Sequence, residues 1–223
     1  MQRLSPWLQL AADRSSPAEP VNVAIENKVS KQLPQQAPQT AKMGGEDVVA
    51  APATGPTAPQ PFVEPPVRGL PIRAVTETAA LWWVGTHGGA GESTLAALDD
   101  QWRTAGHSWP KPIAPGTAAR CVVVARTHAP GLLAAQRALQ QWAASAAGVS
   151  VQLLGLVLVA DAPGRLPVVL RDLAKVVGGG APRVWEVPWV EAWRFGAPQE
   201  NTPRAVAKIV KQINITLAEL PAL

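Results

Sequence analysis

The sequence predicts an α/β fold, a three-layer sandwich in which a small, mainly parallel sheet of about four to five strands is flanked by helices. Two observations support this prediction. From residue 76 onward, short and almost continuously apolar runs alternate with longer segments whose apolar residues recur at helical spacing. Before that point the composition is different, because twelve of the 23 prolines fall within the first 71 residues.

The proline-rich part of the chain predicts a disordered N-terminal region. Residues 13–75 cannot bury enough apolar surface to offset the entropy that is lost on ordering, so we expect a Pro/Ala/Gln-rich tether. Residues 1–12 form a short apolar segment that suits contact with a protein partner, and a frayed terminus is the alternative. Residues 76–223 are predicted to form the folded domain.

Strands and helices are expected to alternate through that domain. The predicted strands are Ala80–Val84, Arg120–Ala125, Val151–Ala160 and Arg183–Val187. The predicted helices are Ser93–Trp102, Gly131–Ala146, Pro167–Val177 and Pro203–Leu217. For the last helix, Thr202 is the expected N-cap and Pro203 the expected first residue. The prolines between Trp109 and Thr117 predict a loop.

Composition narrows the functional classes. No run approaches the roughly 18 consecutive apolar residues of a membrane-spanning helix, and the first residues lack the features of a secretory signal. The lone cysteine, Cys121, lies in an apolar run and is interpreted as a core residue. We therefore expect a cytoplasmic protein with no membrane span. His87, His107 and His128 match no metal-ligand spacing, so no metal site is predicted.

A glycine-rich turn between the first strand and the first helix is the main candidate site. It reads Gly85-Thr86-His87-Gly88-Gly89-Ala90-Gly91-Glu92-Ser93-Thr94. Glycines in such a turn let successive backbone N–H groups converge on a phosphate. The usual phosphate loop has a lysine before its Ser/Thr pair, whose ammonium reaches the β- and γ-phosphates. In this chain Glu92 stands at that position.

The segment from His87 to Thr94 resembles the deviant phosphate loop of the ParA/MinD group of P-loop ATPases. That group has the pattern Lys-Gly-Gly-x-Gly-Lys-(Ser/Thr)-(Ser/Thr), and the resemblance implies a P-loop NTPase-like fold. The glycines of the pattern are matched by Gly88, Gly89 and Gly91. His87 stands where the signature lysine would be and Glu92 where the phosphate-loop lysine would be. The resemblance places Ser93 on the magnesium-binding hydroxyl and Thr94 on the hydroxyl that contacts the α-phosphate.

Two later segments extend the resemblance to about residues 80–217. Residues 184–196 resemble the family's late strand ending in Ile-Pro, so Pro188 would help to line an adenine pocket. The third strand ends in Val159-Ala160-Asp161 where the family has its base-reading asparagine. The Asp-x-Asp and Asp-(Thr/Cys)-Pro-Pro-Gly segments, which serve magnesium and the attacking water, are missing. Losing the two strands that carry them would leave the phosphate-loop strand at the sheet edge, to be covered by the residues before Leu81 or by a partner.

These departures predict a degenerate site. A carboxylate in place of an ammonium removes an attraction to phosphate and adds a repulsion, each about 4 kcal/mol at ~4 Å and an effective dielectric near 20. We therefore expect a non-hydrolysing regulator or scaffold with no required cofactor, in bacterial DNA partition, conjugal transfer or a related positioning system. A second hypothesis is that Glu92 fills the anion site with its own carboxylate, which suits a helix N-terminus.

Two other functions stay open at the level of sequence. The first is an ATP- and magnesium-binding switch that completes its site by oligomerisation. The second is a non-specific nucleic-acid-binding module, because residues 120–223 hold 11 basic and six acidic side chains. The candidate DNA contacts are Arg165, Arg171, Lys175, Arg204, Lys208 and Lys211. A protein partner is expected at the N-terminal segment or at an exposed sheet edge.

Overall fold

The structure, a computed structural model, describes residues 48–114, 116–145, 148–149, 151–196, 200 and 202–220. The segment 1–12 and residues 13–47 of the tether lie outside the described residues. The strands are β1 (Ile72–Val75), β2 (Leu81–Gly85), β3 (Trp102–Gly106), β4 (Trp109–Pro112), β5 (Ala119–Arg126), β6 (Val151–Val159) and β7 (Val184–Val187). The helices are α1 (Glu92–Ala96), α2 (Ala129–Ala143), α3 (Val168–Gly178), α4 (Arg204–Glu219) and a 3₁₀ helix (Glu191–Phe195).

The predicted α/β sandwich is confirmed. Five strands form a wholly parallel sheet in the order β3-β2-β5-β6-β7. Side chains alternate between its two faces, as in β5, where Cys121 and Val123 pack into one core and Val122 packs into the other. The first core includes side chains of α2 and α3, and the second includes side chains of α1 and α4. Helices on both faces explain why β2 is apolar along its whole length and why β5 is apolar from Cys121 to Ala125.

The strand that precedes the glycine-rich loop, β2, lies inside the sheet, so the prediction that it forms the sheet edge is wrong. β3 pairs with β2 from Leu81 opposite Trp102 to Val84 opposite Gly106. The helical spacing of Leu95, Leu98 and Trp102 predicts that Trp102 lies in a helix, and this prediction is wrong. Helix α1 ends at Ala96. A turn follows, in which the Asp99 side chain accepts from Gln101 N–H and the Asp99 carbonyl accepts from Trp102 N–H. Trp102 then packs edge-on against Trp83, with ring centroids 5.3 Å apart.

A second, two-stranded sheet forms where a loop was predicted. β4 pairs in parallel with β1, with Arg73 opposite Pro110 and Val75 opposite Pro112. The pairing tolerates both prolines because the residues beside them supply the donors. Trp109 N–H donates to Pro71 O (2.8 Å) and Ile113 N–H donates to Val75 O (3.1 Å).

The ordered domain begins earlier than the predicted boundary at residue 76. Residues 48–71, the N-terminal strap, lie along the domain and lead into β1. Thr54 N–H donates to Pro182 O (2.9 Å) and Gln60 N–H donates to Ala143 O (2.9 Å). Prolines favour this extended path, and its backbone groups bond to the ends of α2 and β7 rather than to each other.

Gln141 ties the strap to the core. Its side chain is buried, accepts from Leu70 N–H (2.8 Å) and from the Trp109 indole N–H (3.0 Å), and donates to Leu70 O (2.9 Å). Gly69 allows this approach, since a Cβ there would lie 2.4 Å from the Gln141 side chain. One amide of α2 therefore satisfies three polar groups, two of them in the strap and one in β4.

Two further details differ from the sequence prediction or complete it. Pro203 is the N-cap of α4 and Arg204 its first residue, one position later than predicted, and α2 ends at Ala143 rather than Ala146.

Cys121 is fully buried, and burial raises the pKa of its thiol, in keeping with a core residue. Among the described residues, no helix is both long enough and apolar enough to cross a membrane.

We predict that Gln141→Leu destabilises the domain by about 3 kcal/mol, because three buried polar partners lose their bonds. Urea unfolding followed by circular dichroism measures this change. The matched control is Gln136→Leu on the exposed face of the same helix, where we expect a change within about 0.5 kcal/mol. Equal losses in the two variants would show that Gln141 does not hold the strap.

Candidate functional site

The glycine-rich loop lies at the carboxyl end of β2, where the sheet changes direction. The connection from β2 leads to β3 on one side, and the connection from the adjacent strand β5 leads to β6 on the other, so the two connections leave neighbouring strands in opposite directions. A crevice outside the strand ends forms at such a switch point and is the usual ligand site of an open α/β sheet. Gly89 and Gly91 have positive φ angles of 74° and 108°, which allow the turn into α1.

Glu92 is folded back into the loop instead of projecting to solvent. Its side chain is 9% exposed. One carboxylate oxygen, Oε2, accepts from Gly91 N–H (3.1 Å), and the other, Oε1, lies 3.3 Å from His107 Nε2. The carboxylate therefore occupies a backbone donor of the loop, in keeping with the hypothesis that the chain supplies its own anion.

Gly85 makes room for this arrangement at the end of β2. A Cβ at Gly85 would lie 2.6 Å from Glu92 Cδ and 3.0 Å from His107 Cδ2. His107 comes from the turn between β3 and β4, and its side chain is 47% exposed. The loop therefore contacts the turn that follows β3, a strand that the sequence did not predict, and the spacing of residues 85, 92 and 107 gives no sequence signal for that contact.

His87, at the signature-lysine position, bonds to the protein on both sides of its ring. Its Nδ1 lies 3.0 Å from Gly88 O, and its Nε2 lies 3.1 Å from Arg126 N. A backbone N–H can only donate, so Nε2 accepts in this contact. His87 therefore connects the loop to the end of β5.

His128 continues this cluster into α2. As the N-cap residue it accepts from Gly131 N–H through Nδ1 (2.9 Å), and its ring centroid lies 4.9 Å from that of His87. Gly131 permits the close approach, since a Cβ there would lie 2.8 Å from His87 Nε2. On its other side, His128 Nε2 lies 4.0 Å from Asp161 Oδ1. No group of three or more potential metal ligands occurs within the described part of the chain.

Arg126 is the residue that sequence reasoning missed. Its Nε donates to Gly89 O (3.2 Å) and its Nη1 donates to Ala160 O (2.8 Å), so the guanidinium lies between the loop and the end of β6. The available sequence signal was that Arg126 directly follows the second predicted strand, Arg120–Ala125. A parallel sheet brings such a strand end to the same edge as the loop.

Three of the resemblance-derived residues meet at one cavity beside the loop. Gly91 and Thr94 line it from one side and Pro188 from the other, and the cavity measures about 110 Å³. The remaining lining residues are Leu95, Arg126, Val159, Ala160, Trp189, Val190, Trp193 and Arg194. Ser93 is exposed and does not line the cavity. The volume is well below the roughly 300–1,000 Å³ of pockets for larger small molecules.

Glu191 connects two residues that line this cavity, Trp189 and Arg194, and the three side chains form the Glu191 cluster. Trp189 Nε1–H donates to Glu191 Oε2 (2.7 Å), and Arg194 Nη1 donates to Glu191 Oε1 (3.1 Å). These hydrogen bonds, first that from Trp189 and then that from Arg194, hold the pKa of the Glu191 carboxyl below its ordinary value. The Arg194 guanidinium also lies 6.0 Å from the Trp189 ring centroid.

The six basic residues expected to contact DNA are not brought together on one surface. Arg165 precedes α3, and Arg171 and Lys175 lie on it, within the layer that covers one face of the sheet. The three in α4 belong to the opposite layer; they are Arg204, Lys208 and Lys211. All six are exposed, but the sheet separates them into two groups of three.

Comparison with models of protein families assigns most of the folded region to a family. The model of a family of unknown function (DUF6668) matches residues 79–213, which is more than half of the chain. This range begins just before β2 and ends within α4, so it contains the loop and the cavity. No curated protein and no solved structure matches the chain significantly.

We predict that acid opens the Glu191 cluster at the cavity wall. Because the folded-state pKa is lowered, the stabilising contribution is present above the unfolded-state pKa and is lost as pH falls through the folded value. The Trp189 indole N–H resonance should therefore be constant at neutral pH and shift only at a pH below the range in which an ordinary glutamate titrates. Glu191→Gln is the control and should abolish this titration. A shift that persists in the variant would assign the effect to another group.

Proposed function

The chain belongs to a family of unknown function (DUF6668). From its own site, we propose that the protein is a cytoplasmic, non-hydrolysing regulator or scaffold whose phosphate-type loop is closed by Glu92. The single observation that carries this proposal is the buried Glu92 carboxylate, which accepts from Gly91 N–H and lies beside His107. A phosphate entering the loop would have to displace a negative charge that is already hydrogen-bonded there.

The electrostatic cost of this arrangement is large compared with ordinary nucleotide affinity. Replacing an ammonium by a carboxylate near phosphate changes the interaction by about 8 kcal/mol in total at an effective dielectric near 20. Solvent screening that halves this figure leaves about 4 kcal/mol, or roughly a thousandfold in affinity. The helix behind the loop gives little compensation, because α1 has only five residues and its dipole is correspondingly short.

Hydrolysis makes further demands that the described residues do not meet. Phosphoryl transfer depends on positioned positive charge and on carboxylates that hold magnesium. Within the described residues, Arg126 is the cation that contacts the loop, and no cluster of metal-ligating side chains accompanies it. These features support a role without turnover.

The wider biological setting rests on the resemblance to ParA/MinD ATPases. It supports a place in bacterial DNA partition, conjugal transfer or a related positioning system, where an inactive relative acts by holding a partner. The apolar segment 1–12 is the proposed contact, joined to the domain by the proline-rich tether.

A nucleotide-binding switch is the second candidate, and Arg126 favours it. The guanidinium touches the loop carbonyl of Gly89 and borders the cavity that contains Pro188. A second subunit would then have to supply the charge that Glu92 opposes. This candidate predicts ATP affinity that rises with protein concentration.

Isothermal titration with Mg·ATP tests the proposal. We expect the wild-type protein to bind more weakly than about 1 mM and to release no phosphate. Glu92→Lys removes the repulsion and restores the attraction, so we expect it to bind at least about a hundredfold more tightly than the wild type. Glu219→Lys makes the same change in net charge at the exposed end of α4 and should leave binding unchanged.

Two results would contradict the proposal. Submillimolar binding or steady ATP hydrolysis by the wild-type protein would favour the switch. A folded Glu92→Lys variant, verified by circular dichroism, that gains no more affinity than Glu219→Lys would show that Glu92 does not close the loop.

A further inference from the structure

We propose that the cavity between the glycine-rich loop and the 3₁₀ helix binds a small organic monoanion that carries one planar ring, an aromatic carboxylate in chemical class. This inference rests on the proposed function in one respect, since it assigns a ligand to a cavity whose neighbouring loop excludes triphosphates. The proposed function assigns no ligand to this cavity, whereas this inference assigns it an aromatic carboxylate.

The volume sets the size of the ligand. The cavity here measures about 110 Å³ and is partly open to solvent, whereas a closed, dry cavity of about 150 Å³ binds benzene. A single ring can therefore enter only with its polar end protruding through the opening. The volume favours a small ligand, and the lining residues decide its shape and charge.

The apolar part of the lining suits a planar ring. Pro188, Trp189 and Trp193 form one wall, and Leu95 and Val159 contribute to the remainder. Trp189 and Trp193 are half-buried and are fixed by packing and by the bond from Trp189 to Glu191. Rigid aromatic side chains of this kind gain contact area at little cost in conformational entropy.

The charge of the lining selects an anion. Arg126 donates to two neutral carbonyls, Gly89 O and Ala160 O, and no ion pair neutralises it among the described residues. The nearby Glu191 carboxylate accepts hydrogen bonds from Trp189 and Arg194. The charges of Glu191 and Arg194 therefore balance each other. The cavity therefore keeps the positive charge of Arg126, partly desolvated at its edge.

Thr94 adds a polar group on the loop side of the cavity. Its hydroxyl can donate to a carboxylate oxygen, while the guanidinium of Arg126 provides the charge. Apolar walls with a few polar groups on one side are the usual composition of a small-molecule site.

Titration calorimetry with benzoate as the probe tests this inference. We expect saturable binding with a Kd of about 1 mM, in line with the affinity available to nine non-hydrogen atoms. Benzyl alcohol has the ring without the charge and acetate has the charge without the ring, so each should bind at least about tenfold more weakly.

Variants locate the binding in this cavity. Arg126→Gln removes the charge and should weaken benzoate binding at least tenfold, whereas Arg126→Lys keeps the charge and should lose less. Arg171→Gln on α3 makes the same substitution at an exposed site and should have no effect. If Arg126→Gln is not folded by circular dichroism, Pro188→Asp places a negative charge at the exposed rim and should weaken binding to the same extent.

The outcomes separate this inference from the proposed function. Absence of saturable benzoate binding up to about 10 mM, or binding that is unchanged in Arg126→Gln and Pro188→Asp, overturns the inference whatever the result with ATP. Benzoate binding that requires Arg126 supports the inference. Tight ATP binding by the wild type overturns the proposed function, and it does so independently of the benzoate result.

Discussion

The position of one carboxylate determines how the site of this protein is interpreted. Glu92 stands where a phosphate loop needs a cation, and its carboxylate is turned inward to Gly91 N–H and His107. Burial of that carboxylate requires partners on both oxygens, since an unpaired buried carboxylate costs several kcal/mol in lost hydration. Gly91 in the loop and His107 in the turn after β3 provide these partners, and Gly85 at the end of β2 leaves the space for them.

The same constraint connects the loop to the rest of the sheet. His107 can reach Glu92 only because β3 runs beside β2 and returns the chain to the carboxyl edge. On the other side, Arg126 and His87 fix the loop to the end of β5 through backbone groups. The loop is therefore held by side chains from both neighbouring strands, which is the arrangement expected of a loop that keeps its shape without a ligand.

The sequence predicted the class of the fold and the order of most of its elements. Strands β5 and β6 and the helices α2, α3 and α4 are long, strongly patterned segments, and their apolar periodicity decides their type. The failures occur where tertiary contacts outweigh local pattern.

Trp102 has helical spacing from Leu95, but its packing against Trp83 and the turn at Asp99 place it in β3. β4 contains two prolines and exists only because its pairing with β1 leaves those positions without a required donor. Neither effect is local, so neither could be derived from a window of sequence.

The sequence points to the glycine-rich loop as a candidate site but not to its geometry. Gly91, Thr94 and Pro188 line one cavity. The contacts that change its chemistry come from His107 and Arg126, which are distant in sequence from the loop and belong to no motif. Such contacts depend on strand order, and strand order is the property that the sequence pattern leaves open.

Amide hydrogen exchange at Gly91 tests the central claim most directly, since that N–H is the donor to Glu92. The account predicts that the Gly91 amide of the wild-type protein is protected, that Glu92→Ala removes the protection, and that saturating Mg·ATP leaves the wild-type rate and chemical shift unchanged. A Gly91 amide that exchanges at the rate of an unstructured peptide, or one whose resonance shifts on addition of Mg·ATP, would contradict it.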